Sequence, residues 1–245
     1  DESSFAQMMN AQADDLGMIN SNFMNATGLP DDDHYSSARD LAILTVDLIR
    51  KYPDHYKLYS ERSFKFNNIE QPNRNRLLRY DRSVDGVKTG YTKAAGYCLI
   101  ASAEREGMRL ISVVMGTESD DARVRESQKL LTYGFRNFET INVYEENEVL
   151  RTARLYYGEE ESISLGISGA LSITLARGVY ENLEAEIKVP VSIEAPISKG
   201  DVVGELVLKT DGEILYKTSI VSLEEYKEGS FFSRLSDYFQ LLFSN

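Results

Sequence analysis

Three consecutive residues, Lys88, Thr89 and Gly90, form the part of the sequence best suited to chemistry. An ammonium group beside a hydroxyl binds a carboxylate, and a glycine lets the backbone of a ligand approach closely. This chemistry needs an edge strand that borders a cleft, and we expect the motif to lie on one. The alternative is a strand that contains these three residue types by chance, so the motif alone is weak evidence.

The residues around the motif predict the sheet that positions it. Gly96 to Ser102 and Arg109 to Gly116 are mostly apolar, and Glu104 to Gly107 between them has the composition of a turn. These segments predict an antiparallel hairpin in a buried sheet. We expect Asp85 to Thr92 to enter the first strand of that hairpin. Shorter strand-like pieces, such as Ser63 to Phe66, precede it.

Three helices with one apolar face each are predicted around this sheet. Their predicted bounds are Ser3 or Ser4 to Gly17, Ser37 to Tyr52-Pro53, and Asp120 to Phe138. Ser37 and Asp40 have the spacing of a capping box, which marks a helix start. The helices and the hairpin together make part of an α+β domain, which we assign to residues 1–140.

From about Ile141 the sequence changes to short β-rich segments. They run over Glu148 to Tyr157, Leu171 to Leu175, Ala185 to Ile193 and Val202 to Leu223. Asp211-Gly212, between two alternating runs, is a strong hairpin signal. We therefore assign residues 141–228 to a small all-β sandwich domain.

Residues 229–245 predict an amphipathic helix. Its apolar residues are Phe231, Phe232, Leu235, Tyr238, Phe239, Leu242 and Phe243. A helix of this length is too short to cross a bilayer, so we expect it to lie on a membrane surface. The alternative is a helix packed on its own domain, and the presence of one cation, Arg234, on the polar face weakens the membrane interpretation.

Composition excludes several kinds of partner. The formal charge of −12 and the pI near 4.8 argue against binding to nucleic acid, which needs a surplus of basic residues. His34 and His55 are far apart, and Cys98 is the single cysteine. The acidic run Asp31 to Asp33 is interpreted as a solvated loop. We therefore predict neither a metal site nor a cofactor.

Further runs of residues accompany the motif. They are Tyr35 to Asp40, Asn73 to Asn75, Val84 to Gly90, Arg109 to Gly116, Arg125 to Ser127 and Tyr133 to Phe135. In type, order and spacing these runs resemble the D-alanyl-D-alanine carboxypeptidases among the low-molecular-mass penicillin-binding proteins, of the penicillin-binding protein 5 and 6 kind. The resemblance continues to the helix at Phe231-Phe232 and covers essentially the whole chain.

The resemblance implies an α+β fold. It consists of a partial transpeptidase domain of the penicillin-binding and serine β-lactamase type, followed by the small all-β sandwich and the C-terminal amphipathic helix. The implied activity is serine acyl transfer, in which a serine attacks the terminal D-Ala-D-Ala of a peptidoglycan stem pentapeptide and releases D-alanine. β-Lactam antibiotics acylate the same serine. The implied location is the periplasmic side of the bacterial inner membrane, as a peripheral protein.

The resemblance also implies roles for the motif residues. Lys88, Thr89, Gly90 and Tyr91 are the implied catalytic residues, and the backbone N–H of Tyr91 belongs to the oxyanion hole. Lys88 and Thr89, together with Thr92, are implied to bind the substrate.

Two arginines match positions near the cleft in the family. Arg123 is implied to meet the terminal carboxylate of the substrate, and Arg74 matches another arginine beside the cleft. A guanidinium suits this task because it bonds both carboxylate oxygens. The alternative for Arg123 is a solvated arginine on the helix from Asp120 to Phe138, and Arg74 has the same kind of alternative, a solvated side chain without a role in binding.

The sequence departs from the family in its serines. The nucleophile of the family sits in S-x-x-K, and S-x-N completes the proton-transfer network. Neither pattern occurs at any serine of these 245 residues. In the order of the family both come before Asp1, so we expect this chain alone to be inactive and to need an N-terminal segment of the same protein.

Two other interpretations remain open at this stage. A class A β-lactamase shares Lys-Thr-Gly, but it has no counterpart of the β-rich domain or the terminal helix. A non-catalytic, membrane-associated module would explain the missing serine.

Overall fold

The computed structural model of the protein describes residues 1–243 and the side chains of residues 1–241. The chain divides into two compact units after Asn137. Residue 140, where the sequence places the domain boundary, lies within the first strand of the second unit, and the C-terminal helix clusters with that unit. Each unit has buried apolar residues of its own.

The first unit contains five helices in the part of the chain that the structure describes. They are α1 (Glu2–Asp15), α2 (Ala38–Lys51), α3 (Pro53–Tyr56), α4 (Leu77–Tyr80) and α5 (Asp120–Asn137). The predicted start of α1, with Ser3 or Ser4 as its capping residue, is wrong, because Asp1 caps the helix by accepting a hydrogen bond from the Ser4 N–H at 2.7 Å. Ser3 lies inside the first turn. The chain leaves α1 at Gly17, whose φ of +75° suits glycine.

The start of α2 confirms the predicted cap. Ser37 Oγ accepts a hydrogen bond from the Asp40 N–H at 3.1 Å. The helix ends before Pro53, which begins α3, and proline at the first helical position costs no hydrogen bond.

Five strands form the two sheets of the first unit. They are β1 (Ser63–Phe66), β2 (Ile69–Pro72), β3 (Val84–Thr92), β4 (Gly96–Arg105) and β5 (Met108–Thr117). β1 and β2 form a two-stranded sheet, whereas β3, β4 and β5 form an antiparallel sheet in that order. The predicted hairpin is confirmed as β4 and β5. α5 contacts both of these strands.

The segment that carries Lys-Thr-Gly forms a strand of its own, so its predicted place in the first strand of the hairpin is wrong. The physical reason is a turn between β3 and β4. Thr92 Oγ accepts a hydrogen bond from the Ala95 N–H at 2.9 Å, and Gly96 has a φ of +67°. This hydrogen bond and the backbone conformation of Gly96 reverse the chain before β4 begins.

The second unit is built from eight strands among the described residues. They are β6 (Phe138–Tyr144), β7 (Val149–Tyr156), β8 (Ser162–Gly166), β9 (Leu171–Ala176), β10 (Leu183–Lys188), β11 (Ile193–Glu194), β12 (Val202–Thr210) and β13 (Glu213–Ser222). Six form one sheet in the order β10-β12-β13-β8-β7-β11, and β6 pairs with β9. Buried residues of both sheets share one core, including Leu155, Leu165, Leu171 and Ile220. The predicted fold class, α+β followed by a β-rich domain, is confirmed.

Local signals in the second unit have mixed outcomes. Asp211 and Gly212 join β12 to β13 with φ values of 48° and 83°, as the predicted two-residue turn requires. The predicted single segment from Ala185 to Ile193 is divided between β10 and β11. Those strands lie at opposite edges of the sheet.

A helix, α6 (Phe231–Phe243), closes the described part of the second unit. The side chains of Leu242 and Phe243, which the sequence assigns to the apolar face, lie outside the described side chains, and Ser244 and Asn245 lie outside the described residues. Within residues 1–243, no helix combines the length and apolar content that crossing a membrane requires.

Candidate active site

The Lys-Thr-Gly motif lies on β3, at the edge of the three-stranded sheet. β3 pairs with β4 on one side, and its other side has no strand partner in the described chain. Along a strand, side chains alternate between the two faces. Lys88 and Gly90 are exposed, whereas Thr89 is only 8% exposed. The predicted edge position therefore holds, and the motif presents an amine beside open backbone.

Lys88 lies in a positively charged environment. Its Nζ donates a hydrogen bond of 2.6 Å to the carbonyl oxygen of Thr89. Partial burial, followed by the charges of Arg74 and Arg123, lowers the pKa of the Lys88 amine below its ordinary value. The structure thus brings Lys88 within electrostatic reach of both arginines that the family resemblance associates with the cleft. This group of cations suits an anionic ligand.

Arg123 is a buried side chain of α5, so its interpretation as a solvated arginine is wrong. Its guanidinium donates to the carbonyl oxygens of Gly90, at 3.0 Å, and Cys98, at 3.2 Å. It is 6% exposed and also pairs with the Asp120 carboxylate. Arg123 therefore ties the end of β3 to β4.

Asp120 completes this contact and was not predicted as a site residue. It accepts hydrogen bonds from Arg123 and from Arg76, the latter at 2.9 Å. Burial raises the pKa of Asp120, but the bonds to Arg76 and Arg123 outweigh burial and hold it below the ordinary value. The available sequence signal was an acidic residue in the first turn of α5, which also fits a simple dipole effect.

Tyr91 and Tyr97 form an aromatic pair across β3 and β4. Their ring centroids are 4.3 Å apart, and the guanidinium carbon of Arg123 lies 5.4 Å from the centroid of Tyr97. Tyr91 is 58% exposed. The backbone of Tyr91, for which the family resemblance implies an oxyanion-hole role, therefore lies beside the ring of Tyr97, which is stacked over a buried arginine.

Arg74 lies in a loop whose neighbours are fixed. Asn75 is buried and donates a hydrogen bond of 2.8 Å to the carbonyl oxygen of Gly86 on β3. Asn73 accepts from the Asn75 N–H at 2.8 Å. The Arg74 side chain is exposed. Its backbone is thus tied to β3 while its charge is available to a ligand.

A second polar network holds the start of β3. Asp85 accepts hydrogen bonds of 2.7 Å from the Tyr56 hydroxyl and from Arg109. Burial, with the bond to Asp85, raises the pKa of Tyr56. β3 is therefore fixed by Asp85 before the motif and by Arg123 at its last residue, Gly90.

Comparison with known proteins defines the class. Residues 1–119 match the D-alanyl-D-alanine carboxypeptidase family, peptidase S11, and residues 138–228 match the penicillin-binding protein 5 C-terminal domain. The chain belongs to the D-alanyl-D-alanine carboxypeptidase family.

Individual relatives support this assignment. D-alanyl-D-alanine carboxypeptidase DacC of Escherichia coli K12 is 41% identical over 99% of this chain and 61% of its own length. The chain thus spans about three-fifths of the length of these curated relatives. The structure of penicillin-binding protein 5 from Haemophilus influenzae is 41% identical, with a TM-score of 0.81 over 93% of this chain and 67% of that one. Penicillin-binding protein D2 from Listeria monocytogenes in the ampicillin-bound form is 35% identical, with a TM-score of 0.51 over 54% of this chain and 56% of that one.

Proposed function

We propose that this chain supplies the Lys-Thr-Gly wall of a serine D-alanyl-D-alanine carboxypeptidase. The enzyme removes the terminal D-alanine of peptidoglycan stem pentapeptides through an acyl-enzyme, and β-lactam antibiotics acylate it at the same site. The observation that carries this proposal is the open edge of β3, where the Lys88 amine lies in the field of Arg74 and Arg123. A peptide that ends in a carboxylate is the ligand that such an edge fits.

Each residue of the edge has a defined task in this proposal. Lys88, Thr89 and Thr92 are assigned to substrate binding, Thr89 being the least accessible of the three at 8% exposed, and Gly90 leaves room for the substrate backbone. The N–H of Tyr91 points at the carbonyl oxygen as negative charge develops there, and such donors supply a large part of acyl-transfer catalysis. Lys88, Thr89, Gly90 and Tyr91 are thus the proposed catalytic residues of this chain.

The two arginines divide the recognition of the terminal carboxylate. Arg74 is exposed and is the guanidinium that we expect to contact it. Arg123 is buried and bonded to Gly90, Cys98 and Asp120. We therefore assign Arg123 to positioning β3 and to adding positive charge behind the carboxylate.

The attacking serine and its lysine come, in this proposal, from an N-terminal segment of the same protein. An apolar groove between α1 and α2, with a volume of about 350 Å³, supports this idea. Its apolar lining residues are Phe5, Met8, Met9, Ala13, Met18, Phe23 and Leu44. Phe5 and Met8 are more than half exposed, and an apolar surface of this kind fits a further segment of the same domain.

We further propose that the protein works on the periplasmic side of the bacterial inner membrane, held peripherally by residues 229–245. Five side chains of α6, namely Phe231, Phe232, Leu235, Tyr238 and Phe239, are between 44% and 82% exposed. A helix that displays aromatic side chains suits the boundary between lipid head groups and acyl chains.

Release of D-alanine from a stem pentapeptide tests the catalytic proposal. The protein extended at its N-terminus by the nucleophile-carrying segment should release D-alanine, and Lys88→Ala should lower the rate by at least about 100-fold, as expected for a group aimed at the transition state. An extended protein without carboxypeptidase activity would overturn the proposal.

One observation favours a second candidate, a non-catalytic membrane-associated module. These 245 residues contain no S-x-x-K and no S-x-N. This candidate predicts vesicle binding without D-alanine release in the extended protein. The same assay therefore separates the two functions.

A further inference from the structure

The polar face of α6 is hydrogen-bonded to the rest of the second unit, and its aromatic side chains are about half exposed or more. Ser233 and Asp237, one helical turn apart, contact the segment that follows β7. Asp237 is 5% exposed, whereas Phe231 and Phe232 are 75% and 82% exposed. This is the reverse of a helix that packs on its own domain, in which the apolar face is buried.

Asp237 makes two contacts with the second unit. Its carboxylate accepts a hydrogen bond of 2.7 Å from the Tyr157 N–H and one of 3.0 Å from the Arg154 guanidinium. Tyr157 has a φ of +61°, which costs a non-glycine residue free energy and persists only where the surroundings fix it. A buried carboxylate that accepts hydrogen bonds from a charged side chain and from a backbone N–H is a specific docking contact.

The chain before α6 is fixed to the same segment. The Glu159 N–H donates to the carbonyl oxygen of Lys227 at 3.0 Å, and the Gly229 N–H donates to that of Tyr157 at 2.7 Å. A Cβ at Gly229 would lie 2.3 Å from the carbonyl oxygen of Gly158, so only glycine fits there. The helix is therefore held at its base and, one turn after Ser233, at Asp237.

The charge distribution of α6 shows what this arrangement does. Arg234 and Asp237 are its charged residues. Arg234 bonds Glu228 at 2.9 Å near the helix start. Asp237, the one carboxylate of the helix, is directed toward the second unit and away from the aromatic residues. The outward surface therefore has no negative charge of its own to repel an anionic lipid surface.

We propose that Asp237 is a positioning residue that docks α6 by its polar face, so that the aromatic face is already displayed before any lipid is bound. This inference rests on the proposed membrane association of residues 229–245. A helix of about this length is marginal in water by itself. Docking orders the helix before it meets the membrane and so lowers the conformational-entropy cost of binding.

Amide hydrogen exchange of the lipid-free 245-residue chain tests the docking. We expect residues 233–240 to be protected in the wild type. Asp237→Asn should lower this protection at least about 10-fold, because a charge-assisted contact is lost. Glu228→Gln, which breaks the exposed pair with Arg234, is the matched control and should change it little. Protection of β7 and β12 in every variant shows that the second unit is folded. An unprotected α6 in the wild type overturns the inference.

Binding to vesicles of phosphatidylethanolamine and phosphatidylglycerol gives a second test. The affinity of Asp237→Asn should change in opposite directions for a docked and a free α6. If α6 is docked, Asp237→Asn weakens binding about 10-fold, although every aromatic residue remains. If α6 is free, removal of a negative charge strengthens binding to this anionic surface, and that result overturns the inference. Phe232→Ser with Phe239→Ser should abolish binding and leave the protection of α6 intact. The wild-type helix could be protected and lose that protection in Asp237→Asn, while the wild type binds no vesicles. That result would support the docking and contradict the proposed membrane association.

Discussion

The guanidinium of Arg123 donates a hydrogen bond of 3.0 Å to the carbonyl oxygen of Gly90, so a buried side chain of α5 holds the last residue of the Lys-Thr-Gly motif. The same guanidinium bonds Cys98 on the neighbouring strand at 3.2 Å. β3 has no strand on its outer side in the described chain. The position of the motif therefore depends on a residue more than thirty positions later in the sequence.

Replacement of Arg123 by alanine should destabilise the first unit. The change removes a donor from each of two backbone carbonyls and one partner from Asp120, and we expect the free energy of unfolding to fall by about 3 kcal/mol. Urea denaturation monitored by circular dichroism measures this. Arg125→Ala on the exposed side of α5 is the control and should change stability by no more than about 0.5 kcal/mol. Equal effects of the two substitutions would contradict the proposed contact.

Replacement of Asp120 by asparagine should destabilise the protein in a pH-dependent way. The folded-state pKa of Asp120 is lowered, so its stabilisation is present above the unfolded pKa near about 3.9 and is lost as pH falls through the folded value. Because the Asp120 side chain is 36% exposed, solvent screens the interaction, and we expect a loss of about 1 kcal/mol at neutral pH. Urea denaturation of wild type and Asp120→Asn, repeated below pH 4, should give curves that converge. A difference in the free energy of unfolding that does not change with pH would show that Asp120 stabilises the protein by packing and not by its charge.

The charge of Lys88 should set an alkaline limit for β-lactam acylation in the extended protein. Burial, with Arg74 and Arg123, lowers the pKa of Lys88 below 10.5. Acylation that needs the ammonium form is fastest below this pKa and declines as pH rises through it. Arg74→Gln removes a positive charge and should move the decline to higher pH. Arg79→Gln, at an exposed position on α4, should leave it in place. Rates of acylation measured across the alkaline range test this, and an unmoved limit in Arg74→Gln would refute the role of Arg74.

Features set by a few neighbouring residues were predictable from the sequence. Ser37 and Asp40 form the cap that their spacing predicts, and Asp211-Gly212 forms its turn, because each depends on one local hydrogen bond or backbone conformation. The edge position of Lys88 followed from the substrate-binding task of the motif. These signals do not require knowledge of the tertiary fold.

Features that join distant segments were not predictable. The sequence offered a solvated Arg123 as one possibility, and its burial depends on contacts with β3 and β4. Asp120 was missed because an acidic residue at a helix start is common for reasons unrelated to a site. β8 was missed because its alternation over five residues, between turns, is too short to distinguish from a loop.

A glycine in the second unit allows a test of its packing. A Cβ at Gly204 on β12 would lie 2.2 Å from the carbonyl oxygen of Lys188, which is backbone and cannot move aside. Gly204→Ala should therefore lower the free energy of unfolding by about 1–3 kcal/mol. Gly169→Ala is the matched control, because nothing lies within 4 Å of its Cβ position. Thermal unfolding of both variants tests the prediction, and a neutral Gly204→Ala would contradict the register of β10 and β12.

Labelling by a fluorescent penicillin tests the central claim, that Lys88, Thr89 and Gly90 form one wall of an acyl-transfer site completed by an N-terminal segment. The 245-residue chain alone should remain unlabelled, the extended protein should form a covalent adduct, and Lys88→Ala in the extended protein should label far more slowly. Covalent labelling of the 245-residue chain by itself, or undiminished labelling of the Lys88→Ala variant, would contradict the claim.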